Sequence, residues 1–179
     1  MGLRKKIVQA IYQIRKVRNK LNHQLSAIEQ KEKMLMERLV EAQKSGDLMR
    51  AKVYASEIAN IRKLRSALMA FDIKLEQAEL RLDTALTFGD AAFAVIPMAK
   101  DLKETIEQFR GIIPHIDEEL ESLVESFDEL AAEGLGMDMI GGDVFIDHEA
   151  AKILEEAKAI ASTKMKELVD LDGKEFANA

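Results

Sequence analysis

An all-α fold is predicted for this chain: a long antiparallel helical hairpin, then shorter acidic helices, then a tethered C-terminal helix. Three observations carry the prediction. Trp and Cys are absent, Pro occurs twice in 179 residues, and Ala, Glu, Lys, Leu, Ile and Met dominate, which is the bias of long helices. Two amphipathic runs between Leu3 and Leu86 are broken only at Ser45-Gly46-Asp47, a turn short enough to send the second run back along the first. Charge is also segregated, with +10 on residues 1–66, −3 on 67–110 and −13 on 111–179. That asymmetry suits a basic end meant for an anionic surface and an acidic end that can compete for it.

In the first run Ile7, Ile11, Ile14, Leu21, Leu25, Ile28, Leu35, Leu39 and Ala42 recur in alternating steps of four and three. This is the narrow stripe of a coiled-coil-like seam. Only Arg18 and Glu32 interrupt it; they either fix the register against the partner helix or sit at the edge of the seam. At about 1.5 Å per residue the run makes a rod of roughly 60 Å. Lys5, Lys16, Lys20, Lys31 and Arg38 lie opposite the stripe, with Arg4, Lys6, Arg15 and Lys33 on its flanks. Through residue 20 the cations meet no acid at all. A basic amphipathic segment is the pattern expected for an anionic membrane surface, and Arg4, Lys5, Lys6, Arg15, Lys16 and Lys20 are its candidate contacts. A merely solvated face and nucleic-acid binding are the alternatives; no aromatic stacking platform accompanies the cations, so no nucleic-acid partner is expected.

Asp47 is placed to cap the second run directly after Gly46. Its stripe is Ile58, Ile61, Leu64, Leu68, Phe71, Leu75, Ala78, Leu82 and Ala85, again in threes and fours. Arg50, Lys52, Arg62, Lys63 and Arg65 extend the basic surface to mid-helix, after which Asp72, Glu76, Glu79 and Asp83 prevail over Lys74 and Arg81. One basic and one acidic end suit staggered, side-by-side packing of subunits. Phe88-Gly89-Asp90 closes this arm, Gly89 taking the left-handed position after the last turn. Gly46 and Gly89 are accordingly the candidate hinges.

The segment from about Ala91 to Arg110 has helical periodicity but carries Pro97, which either kinks it or marks its first turn. Gly111 and Pro114 end it, and Glu118 to Glu133 follows as a short acidic helix with Leu120, Leu123, Val124, Phe127 and Leu130 on one face. Residues 134–146 hold the one glycine-rich stretch. It lacks the preceding strand and the Lys-Ser/Thr of a phosphate loop, so it is read as a linker. Asp147 would cap a last helix through about Val169, with Ile153, Leu154, Ile160, Met165 and Leu168 as its apolar positions. The domain reading is thus a helical core at 1–133 (hairpin 3–88, further helices 90–133), a linker at 134–146, and a C-terminal helix and tail at 147–179.

No catalytic constellation stands out. His23, His115 and His148 are too far apart to show ligand spacing, and Asp147-His148-Glu149 do not face one another on a helix start. No metal, no cofactor and no enzymatic activity are expected. The absence of Cys fits a reducing, cytoplasmic compartment. No apolar run approaches the roughly 20 residues that span a bilayer, no secretory signal is apparent, and Lys6 stands where a myristoylation motif wants Ser or Thr.

A basic amphipathic first helix, a long hairpin turning near residue 46, an elbow at Gly89, short acidic helices and a tethered last helix together resemble the ESCRT-III family. The stretch from Asn60 to Asp83, NIRKLRSALMAFDIKLEQAELRLD, is similar to its archaeal cell-division members, CdvB and paralogues. The resemblance covers about residues 1–133 through diffuse patterns of helix and charge. It implies a peripheral membrane protein at the division site that polymerises with itself and with paralogous subunits into filaments constricting or severing anionic membranes. It also implies an acidic C-terminal part that folds back on the basic hairpin, an elbow at Gly89 that straightens in the polymer, and disassembly by an MIT-domain AAA ATPase of CdvC type.

That ATPase would read a C-terminal helix, for which Leu154, Ile160, Met165 and Leu168 are the candidate contacts. The usual helical motif sets Leu residues around an Arg, and Leu154 to Leu168 contains no Arg, so recruitment is either direct or through a paralogue. Two rivals share the hairpin: a membrane-protecting coat protein of PspA type, and a soluble coiled-coil scaffold with no membrane role.

Overall fold

The computed structural model describes residues 2–88, 96–133 and 148–177. Five helices are present among them and no strand: α1 (Leu3–Lys44), α2 (Leu48–Phe88), α3 (Ile96–Phe109), α4 (Asp117–Glu133) and α5 (His148–Ala177). Two compact units separate, Met1–Gly141 and Gly142–Ala179. The Gly89 hinge, the glycine-rich linker 134–146 and the Asp147 cap lie outside the described residues.

The turn between α1 and α2 follows from its three residues. Gly46 adopts φ +74, a left-handed conformation that costs Gly nothing. The Ser45 N–H donates to the Glu41 carbonyl at 3.0 Å and the Asp47 N–H to the Ala42 carbonyl at 2.9 Å, closing the end of α1. Asp47 then accepts the Arg50 N–H on Oδ1 at 3.1 Å, satisfying one orphan donor of α2. Asp47→Ala should cost about 1 kcal/mol, read as a lower urea midpoint with an unchanged slope.

α1 and α2 pack antiparallel, but the core is not a uniform two-helix seam. One cluster spans Ile7 to Leu21 of α1, Leu68 to Ala85 of α2, and the apolar faces of α3 and α4. It includes Ile11, Ile14, Phe71, Leu75 and Leu82, with Leu25 and Ile28 half-buried at its margin. The open end of the hairpin is therefore a four-helix section. Toward the tip only two helices remain, and the buried residues thin to Leu35, Ala42, Ala51 and Ile58.

Leu64 shows the difference. Read as a seam residue, it is 36% exposed. It lies on the same arc of α2 as Leu68, Phe71, Leu75 and Leu82, spaced in threes and fours, but one turn beyond the level that α3 and α4 cover. Leu39, in the two-helix part, is half-buried.

α3 and α4 are joined by a compact turn. Gly111 takes φ +74, its N–H donates to Asp117 Oδ1 at 3.1 Å, and the Ile112 N–H closes on the Phe109 carbonyl at 3.1 Å. Pro97 lies within the described span of α3, next to Ile96. Asp117, Glu118 and Glu119 open α4, placing three acids at the positive end of its dipole. Phe71 of α2 stacks on Phe109 of α3, ring centroids 5.0 Å apart and planes 9° from parallel.

In the second unit, α5 runs to Ala177 rather than ending near Val169. Leu171 continues its apolar positions, and a single Gly173 costs about 1 kcal/mol, too little to stop a helix of this length.

Candidate functional site

The six candidate cations of α1 do not share one environment. The packing of α1 on α2 and α4 sorts them by angle around the helix. Arg15 points toward α2, where its Nε donates to Glu79 Oε1 at 2.7 Å. Lys20 points toward α4, donating to the Glu119 carboxylate and to the His115 carbonyl, the latter at 3.0 Å. Lys6 is half-buried. Arg4, Lys5 and Lys16 are exposed, and Lys16 Nζ lies 5.4 Å from the centroid of the Tyr12 ring. The outer face of α1 therefore consists of Lys5 and Lys16 with the exposed side chains between them.

His115 is the only described non-glycine residue with positive φ, at 62°. Its left-handed conformation, costing about 1–2 kcal/mol, turns the carbonyl toward Lys20. Acidic α4 is thereby tied to basic α1 at the level of residue 20. The Lys20 ammonium, by hydrogen bonding, holds the Glu119 carboxyl below its ordinary 4.5, with the nearby charge of Lys16 adding to the effect.

The two breaks in the α1 stripe are both ion-paired across the hairpin. Arg18 donates from Nε to Asp72 Oδ1 at 2.9 Å and from Nη1 to Glu79 Oε2 at 3.1 Å, with Glu76 3.6 Å away. Hydrogen bonding to Asp72 is the main reason its already high pKa is raised further. Burial alone would raise the Glu79 carboxyl; the hydrogen bonds from Arg15 and Arg18 outweigh it and leave the carboxyl below its ordinary value. Glu32 receives Arg62 at 2.7 Å and Arg65 at 2.6 Å, and the Arg62 hydrogen bond lowers its pKa as well. Of the acids read as a surface for neighbouring subunits, Asp72, Glu76 and Glu79 are thus engaged inside the chain. Spacing alone could have suggested this, since Arg18 and Glu32 occupy seam positions.

Glu32, Glu79 and Glu119 all have folded pKa values depressed below 4.5. Their contribution is fully present above that value and is lost as pH falls through the depressed ones. Thermal stability should accordingly be flat from neutral pH down to about 5 and then fall steeply, a profile that circular-dichroism melts across acid buffers would record.

The proposed partner-binding residues of α5 are all exposed: Leu154 59%, Ile160 51%, Met165 69% and Leu168 63%. Among the described residues, no helix is long and apolar enough to cross a membrane. No group of three or more His, Cys, Asp or Glu there is placed to hold a metal ion. What sequence reasoning passed over on the candidate face is apolar: Val8 and Tyr12, which fall outside the buried stripe and are 49% and 58% exposed.

Two proteins of Sulfolobus acidocaldarius are similar to this chain. Cell division protein B1 is 36% identical over 166 residues, covering 92% of this chain and 78% of that protein. Cell division protein B is 29% identical over 168 residues, covering 93% of this chain and 64%, just under two thirds, of that protein. No protein-family profile and no solved structure matches. The B1 identity extends over 92% of this chain, well past the hairpin: the chain belongs to the CdvB-like ESCRT-III family.

Proposed function

We propose that the chain is a polymer subunit of ESCRT-III type that acts in archaeal cell division, assembling with itself and with paralogues into filaments on anionic membrane. The observation that carries this reading is the sorting of cations on α1. Lys5 and Lys16 face outward on a helix whose first 20 residues hold no acid, while Lys20 and Arg15 are held by α4 and α2. The names of the two relatives support cell division over a membrane-protecting coat. Each outward cation contributes at most about 1 kcal/mol at an anionic surface, so one molecule binds weakly and polymerisation supplies the avidity. The acidic α4 restrains the closed form, and the partner ATPase acts through the exposed α5 residues or through a paralogue.

Co-sedimentation with phosphatidylserine vesicles tests the reading. Wild type should pellet with vesicles and form filaments on them under the electron microscope, whereas Lys5→Glu with Lys16→Glu should stay in the supernatant. Binding that survives the double reversal, or a discrete oligomer indifferent to vesicles, would sink it.

A further inference from the structure

Resting on the filament reading just given, we infer that α4 is an exchangeable helix: in the assembly, the α4 site on α1 is filled by α4 of a second copy of this chain, with the α3–α4 turn as the hinge. The site is apolar in its centre and keyed by charge at one end. Ile116, Leu120, Leu123, Phe127 and Leu130 are buried in the core shared with α1, α2 and α3. Lys20 of α1 donates to the Glu119 carboxylate and to the His115 carbonyl. The Lys20–Glu119 contact joins residues 99 apart in the chain, so nothing local requires both to come from one molecule.

The turn has the character of a hinge. Residues 110–116 join α3 to α4, and folded they enter the left-handed region twice, at Gly111 (φ +74) and at His115 (φ 62). Glycine adopts that conformation freely, whereas at His115 it crowds Cβ against the following carbonyl. Pro114 adds a local preference for extended backbone at Ile113, and seven extended residues reach roughly 23–25 Å. A short, strained connection between two packed elements invites domain swapping. In an exchange the donated α4 meets the same α1 and α3 surfaces on the recipient. Its buried contacts and its pairs with Lys20 and Lys103 are therefore restored. The turn gives up one exposed hydrogen bond, from the Gly111 N–H to Asp117, which water replaces, and His115 is relieved. α3 keeps its own hold on α2 through the Phe71–Phe109 stack and the Lys74–Asp101 pair at 3.3 Å, so it stays when α4 leaves. Handed on in one direction from copy to copy, the exchange does not close on itself, as a filament requires.

The full chain contains no Cys, so Lys20→Cys and Glu119→Cys each introduce a single thiol. Both variants keep the apolar contacts of α4, and circular-dichroism melts close to wild type should accompany them. Purified separately, mixed, assembled on phosphatidylserine vesicles and treated with a short bismaleimide, they should give a covalent dimer in the filaments and little or none before assembly. The double variant, cross-linked within one chain before vesicles are added, should lose most of its assembly, because its α4 is no longer free to leave. His115→Gly removes the strain from the closed turn; placed in both single-thiol variants, it should slow the appearance of the dimer by roughly fivefold.

Filaments of the mixture that yield no dimer, while filaments of the double variant cross-link within single chains, would place α4 on its own α1 in the assembly. That result overturns the exchange and leaves the filament reading intact. Assembly of the internally cross-linked double variant at the wild-type rate would overturn the exchange equally. Dimer that appears as fast with His115→Gly as without it would overturn the turn as the hinge. Wild type that forms no filaments on vesicles refutes the filament reading and the exchange together.

Discussion

Phe71→Ala is expected to lower the stability of the first unit by about 3–5 kcal/mol, among the largest effects of a single truncation in it. Phe71 is 1% exposed and stacks on Phe109, so it joins α2 to α3 at the level where the four-helix section forms. Losing it removes the transfer energy of a large ring, leaves a cavity, and deprives Phe109 of its stacking partner. Set against the roughly 5–15 kcal/mol that keeps a typical domain folded, the loss is serious. Urea unfolding followed by circular dichroism would measure it. Ile58→Ala, in the two-helix part of the hairpin, should cost less, because fewer neighbours surround that site and the gap can collapse or hydrate. Equal losses at the two positions would contradict the division of the hairpin into a four-helix section and a two-helix arm.

Arg18→Ala comes second, at about 2 kcal/mol. That figure lies between the 0–1 kcal/mol of an exposed pair and the 3–5 kcal/mol lost when a buried pair is broken, as suits a side chain 24% exposed. Its removal takes the shared cation from Asp72, Glu76 and Glu79 and leaves Arg15 paired with Glu79. The penalty is electrostatic repulsion plus unpaired acceptors. Arg18 helps hold the Glu79 carboxyl below its ordinary value, so the gap between melts of the two proteins should narrow as pH falls through that depressed value. A gap that stays constant through acid would assign the loss to the aliphatic stem of Arg18 instead.

The same magnitudes say what holds α4 against α1. Leu120, Leu123, Phe127 and Leu130 are all buried in the shared core, each side chain contributing about 1.5–3 kcal/mol of transfer energy. The Lys20–Glu119 pair, with Lys20 42% exposed, contributes at most about 1 kcal/mol. Charge therefore orients the acidic helix on the basic one, while apolar burial keeps it there. A trigger acting on charge alone, such as salt, would not release α4; releasing it takes competing apolar or multivalent contacts of the kind a polymer supplies.

Much of this was legible in the sequence because helices are local. Steps of three and four placed Ile7 to Ala42 on one face, Gly46 and Asp47 marked the turn and the cap, and Gly111 ended α3 by the same backbone logic. The segregation of charge was equally plain, since it needs only counting. The sequence by itself thus determined the all-helical hairpin, its turn and the basic character of α1. Tertiary structure alone decided which α1 cations face outward, because that depends on where α2 and α4 lie around the helix. It decided too that Leu64 is left half outside while Leu68, one turn on, is fully covered: periodicity shows which face is apolar, but only packing shows how far along the rod that face finds a partner.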